Sequence, residues 1–155
     1  MANIGANLTR VWTTDQLDEG NAPSVGGIYR KGNKAYKFVE YKEGTAATDG
    51  VAGEVAYYYT LDGYKLNQVT SDLSDSVEIG AGVLTVAMSD GEFGWIQIRG
   101  AATLSIALTA GADGDPLTPT GAGDGTLDVS EAVTDNICAI AGDISDNEII
   151  CMFPE

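Results

Sequence analysis

At 155 residues and 44% hydrophobic content, the chain is sized for one domain with a real core, which excludes global disorder. A net charge of −15, from 23 acidic and 8 basic residues, argues against a nucleic-acid surface, which needs clustered Lys and Arg, and against an anionic membrane surface. The absence of histidine excludes Ser-His-Asp and Cys-His machinery and, with only two cysteines, a standard zinc site.

The predicted elements start with an arm over residues 1–24. Its apolar residues are widely spaced (Ile4, Leu8, Val11, Trp12, Leu17), and Asp15 to Pro23 reads as loop. The spacing of Ile4, Leu8, Val11 and Trp12 also suits one short helix, but so short a helix is marginal alone. The arm is expected to order only against something else, with Ile4, Leu8 and Trp12 as anchors; packing on its own domain is the alternative. The first ten residues show no apolar run behind a basic start, so no signal peptide is expected. No window reaches the length of a membrane span, and synthesis in the cytoplasm is the expectation.

A single β domain is expected over residues 25–155. Val25 to Lys31 and Lys34 to Tyr41 form a hairpin turning at Gly32-Asn33, with Tyr36 and Phe38 on one side and Lys37, Val39 and Tyr41 on the other. Val51 to Thr60 is read as a strand ending in an Asp62-Gly63 turn. Residues 66–79 are polar and read as a surface loop with a short pairing at Gln68–Thr70. Ala81 to Met88 is strand-like. Ile96 and Ile98 alternate with Trp95, Gln97 and Arg99; Gly100-Ala-Ala is read as a turn; Leu104, Ile106 and Leu108 alternate again. Period two over both runs predicts half-buried antiparallel strands with the Ile and Leu set facing the core. Residues 110–131 are Gly-, Asp- and Thr-rich. Asn136 to Ala141 and Glu148 to Phe153 close the chain as strands around a turn at Asp143 to Asn147. Many short strands, 20 glycines and no long helix predict an all-β fold, a small antiparallel β-barrel or sandwich with an extended N-terminal arm.

Few motifs carry chemistry. Asp124 to Glu131 matches the second half of an EF-hand loop, but the first and third ligands would be Thr120 and Ala122, and alanine has no oxygen to give. Incidental calcium binding by Asp113, Asp115, Asp124 and Asp128 is weighed against an exposed acidic loop, which is preferred. No carboxylate pair stands out, and Gly121 to Gly125 lacks the lysine of a phosphate loop. No enzyme activity, cofactor or metal is expected. Trp95, Tyr57, Tyr58 and Tyr59 are weighed as a sugar-stacking surface against a role in packing. Cys138 and Cys151 read as buried thiols, with a disulfide as the alternative.

Five basic residues lie between Arg30 and Lys42, and none follows Arg99. This basic hairpin and an acidic surface are either solvated faces or partners between neighbouring subunits. The interface candidates are Ile4, Leu8 and Trp12, then Arg30, Lys31 and Lys34, then Trp95, Gln97 and Arg99, and finally Met152 and Phe153. Aromatic and Arg residues are the types that anchor protein interfaces.

The run Gly91 to Thr103, with its G-x-x-G-W-x-Q-x-x-G-x-A pattern, followed by Ala110 to Asp115, resembles the capsid decoration (cement) proteins of tailed bacteriophages. Pro23 to Tyr29 with Tyr36 to Phe38, Asn67 to Asp72 before Ala81 to Val83, and Cys138 to Ala141 follow the same order. The resemblance spans most of residues 23–153 and implies a β-barrel-like domain on the outer surface of the virion head. It further implies no catalysis, the major capsid protein as partner, and self-association, commonly as a trimer. The alternatives are a phage tail or receptor-binding module, one that binds carbohydrate, or an unrelated β-barrel scaffold.

Overall fold

A computed structural model describes residues 6–60 and 62–155. The expected hairpin forms from β1 (Ile28–Lys31) and β2 (Lys34–Tyr41), paired in antiparallel register from Ile28–Lys37 to Lys31–Lys34. Gly32 at its tip has φ +61°, a left-handed conformation that a residue without Cβ adopts freely. Then follow β3 (Val55–Tyr59), a single helical turn α2 (Gly63–Leu66, after α1 at Thr14–Leu17), β4 (Gln68–Thr70), β5 (Ser76–Leu84) and β6 (Phe93–Thr103). The acidic half adds β7 (Pro116–Thr118), β8 (Asp128–Val129), β9 (Ala139–Ala141) and β10 (Glu148–Met152).

Strands β2, β4, β3, β5 and β6 are joined in that order, and β2 pairs with β6, closing a five-stranded barrel. All its pairings are antiparallel except β2–β4, which is parallel. Closure gives each of the five barrel strands a partner on both sides, while β1 and β8 each pair on one side only. From β6 the sheet continues through β10, β9, β7 and β8, so that β10 lies inside the sheet between two antiparallel neighbours.

Three local expectations are corrected. Gly100 does not turn the chain: β6 runs straight through it, and its φ of +90° accommodates the contact with Lys34 and Asn33, where a Cβ would lie 2.9 Å from the Lys34 side chain. Residues 104–109 are therefore not a strand. Leu104 is buried, but the backbone N–H groups of Leu104, Ser105 and Thr109 donate to Asn147, Gly53 and Leu127, three separate loops that cannot form a ladder. Asp62-Gly63 opens α2 rather than a hairpin turn. The short pairing expected at Gln68–Thr70 forms as β4, and β5 begins at Ser76.

Ile96 and Ile98 point into the core, as the alternation predicts, alongside Val39, Tyr41, Val55, Tyr57, Val69 and Val83. The same core continues beneath the extension as Leu117, Leu127, Ile149 and Phe153. Phe153 is fully buried, so it holds the fold rather than a partner; its burial stabilises by about 1.5–3 kcal/mol. Cys138 and Cys151 are free, buried thiols in this core, and desolvation pushes both up to about 12.

Candidate functional site

The odd-numbered face of β6 is divided into a covered half and an open half. On the covered half, Phe93, Trp95 and Gln97 lie beside Tyr36 and Phe38 of β2. Residues 6–24 fold back over them. Trp12 and Phe93 exchange two backbone hydrogen bonds of 2.8 Å, and Ala6, Leu8, Leu17, Ala22 and Tyr29 pack around the ring cluster. Thr85 Oγ1 donates to the Leu8 carbonyl, fixing the start of this cover. Phe38 and Trp95 have ring centroids 5.2 Å apart, and Tyr29 and Trp95 6.1 Å. The described part of the segment is thus no extended arm: Trp12 is 6% exposed and anchors its own sheet. Ile4 lies outside the described residues.

This cover corrects the expected contact strip. Trp95 is 4% and Gln97 7% exposed, and Gln97 Nε2 donates to the carbonyls of Arg99 and Ala101 along its own strand. Of the three strip residues, only Arg99 faces solvent. The sugar-stacking surface fails for the same reason. Tyr57 and Tyr58 are fully buried and Trp95 nearly so, which leaves Tyr59, half-buried, as the one partly open ring of the four and no stacking platform.

Beneath the cover lies a cavity of about 360 Å³ lined by Asn7, Arg10, Trp12, Asn21, Pro23 and Trp95, with Ala6 and Ala22. The Arg10 guanidinium stacks on the Trp12 ring, its carbon 3.4 Å from the centroid. The indole Nε1–H groups of Trp12 and Trp95 are both buried and have no hydrogen-bond acceptor among the described residues. A buried donor left unpaired costs about 1–3 kcal/mol, so two beside one cavity are notable.

The open half begins at Arg99. Arg99, Ala101 and Thr103 sit opposite Met152, Ile150 and Glu148 of β10, and Ile150 sits opposite Ile140 of β9. Ile150 is 44%, Met152 40% and Ile137 50% exposed. Met152, Ile137, Ile79 and Pro154 also line a shallow groove of about 410 Å³. The result is an apolar strip running across three strands with Arg99 at one end. Arg99 and Met152 are the sequence-predicted residues that belong to it; Ile137, Ile140 and Ile150 were missed. Ile150 was legible as the alternate of Ile149, whereas Ile137 lies in an irregular segment whose exposure no period reports.

The basic hairpin is largely spent within the chain. Arg30 pairs with Glu155, which also lies 3.7 Å from Arg99, and the Arg30 guanidinium holds the Glu155 carboxyl below its usual range. Lys42 pairs with Glu40 at 2.8 Å. Lys37 is buried, donates to Tyr58 Oη at 2.9 Å, and is pushed down by desolvation. Lys31 stays exposed at the hairpin tip and Lys34 half-buried beside Gly100. The acidic loops likewise serve local structure. Asp113, Asp115 and Asp124 accept from the backbone N–H groups of Ile144, Ala112 and Leu73. Among the described residues, no three His, Cys, Asp or Glu side chains are grouped to hold a metal ion.

Compared with protein families, curated proteins and solved structures, the chain matches no family model, no curated protein and no solved structure.

Proposed function

We propose that this is a structural virion protein that decorates the outer surface of a tailed-phage head and cements neighbouring major capsid subunits, associating with itself as a trimer. The observation that carries the reading is the uncovered apolar strip of Ile137, Ile140, Ile150 and Met152 beside Arg99. The described residues cover one half of the β6 face and leave the other half exposed, which suits an interface. A strip of this size makes only weak contacts singly; repeated by symmetry on a capsid, weak contacts become strong attachment. The motif run Gly91 to Thr103 contributes to both halves of that face.

The test is co-sedimentation with undecorated heads. The protein is expected to pellet with them, and Ile150→Asp is expected to abolish pelleting while the soluble protein keeps its fold by circular dichroism. Because Arg30 and Lys42 are paired internally, attachment should persist as salt rises past about 0.15 M, where charges are screened beyond roughly 8 Å. No pelleting at saturating protein would sink the proposal.

A further inference from the structure

We infer that the cavity under the N-terminal segment is a binding site for a small carboxylate bearing further hydrogen-bond acceptors, of the class of sugar acids and hydroxy acids. Its lining is a set of donors without an acid. Arg10 lies over the Trp12 ring, and no carboxylate lies within ion-pair distance of it among the described residues. That absence is notable in a chain with 23 acidic residues. The Asn7 carbonyl oxygen already accepts from Thr9 N and Oγ1, which leaves its amide N–H groups to donate. Asn21 also lines the cavity, and each of the two tryptophans that wall it keeps a buried indole N–H without an acceptor among the described residues.

A planar guanidinium presents paired donors that match a carboxylate, while the amide N–H groups of Asn7 and Asn21 match hydroxyl and ring oxygens. A volume of about 360 Å³ falls within the range of small-molecule sites. The indole faces are covered, so recognition rests on hydrogen bonds rather than ring stacking. Both indole N–H groups are closed to solvent, so the direct contacts of the ligand are Arg10, Asn7 and Asn21, and the tryptophans sense it as adjacent walls. The inference is independent of capsid attachment.

The chain's two tryptophans both line the cavity, so the two indole N–H resonances of the full chain read the site directly. The probes are glucuronate, glucose, acetate and a short capped peptide with one glutamate. Glucuronate at millimolar concentration is expected to shift both resonances saturably. Glucose and acetate should each bind at least about tenfold more weakly, and so should glucuronate with the Arg10→Gln variant, a difference of about 1.4 kcal/mol. Unmoved indole resonances in glucuronate would overturn the inference, as would equal binding of glucose or of acetate. Tighter binding of the glutamate peptide would assign the site to a protein partner and overturn the small-molecule claim. Should Arg10→Gln fail to fold, the comparison of the four probes on the unaltered chain still decides.

Discussion

At the residue scale, Tyr57 is the buried polar group whose role is most sharply defined. Its hydroxyl donates to the Thr126 carbonyl and accepts from Thr126 N at 3.0 Å, clamping the loop 123–126 against β3 from within the core. Burial drives its ionisation far above the ordinary phenol range. Tyr57→Phe keeps the ring but leaves buried Thr126 backbone groups unpaired, so urea unfolding should show a loss of about 1–3 kcal/mol. A variant as stable as the parent would mean the loop finds other partners. Lys37 poses the opposite case. Desolvation disfavours its ammonium in the folded state, so its penalty is relieved as pH rises toward the ordinary lysine value, and it contributes no alkaline weakness of its own.

At the element scale, the decisive element is the irregular segment over β6. It has little regular structure beyond the single turn α1, where Thr13 N–H is capped by the Gln16 side chain. What holds it is apolar burial of Trp12 against Phe38, Phe93 and Trp95. Deleting residues 1–24 should therefore bare this cluster, lower the unfolding midpoint and promote aggregation. Truncating one buried Trp typically costs about 3–5 kcal/mol, and the deletion should exceed that lower figure in calorimetry or denaturant melts. An unchanged midpoint would show that the segment is dispensable to the fold. β10 is the counterpart: its Ile149 and Cys151 face inward while Ile150 and Met152 face out, so inward and outward substitutions should separate cleanly into loss of stability and loss of attachment.

At the scale of the whole molecule, the charge of −15 is organised as turn clamps rather than as a site. The Asp75 carboxyl lies below its ordinary value of 3.8 because Thr45 N–H donates to it; Asp135 is lowered by the N–H groups of Ala132 and Glu131, and Asp143 by Ser145. A lowered folded-state pKa gives stability that is complete above the unfolded value and lost as pH falls through the folded one. Thermal melts should accordingly be flat from neutral pH to about 5 and fall below about 4. Glu43, raised by its hydrogen bond with Asp49, works against this trend. Asp135→Asn should flatten the acid limb by lowering the neutral-pH melt while leaving the acid end in place; an unchanged slope would remove the loop clamp from the account.

Short-range chemistry sufficed for much of this architecture. The Gly32-Asn33 tip, the aromatic and β-branched run of β2, and the alternation that sends Ile96 and Ile98 inward were all legible, because period two states which residues share a face of a strand. Period two is silent on what lies against that face. Trp95, Gln97 and Arg99 share one side of β6, yet two are sealed and one is open, because Trp12 joins Phe93 across the chain and the segment stops short of Arg99. The closure of the barrel through β2–β6, the end of the ladder after Thr103 and the meeting of the two tryptophans at one cavity likewise depend on residues distant in sequence. Only tertiary packing decides such contacts, since their free energy comes from surfaces that meet after the strands have formed.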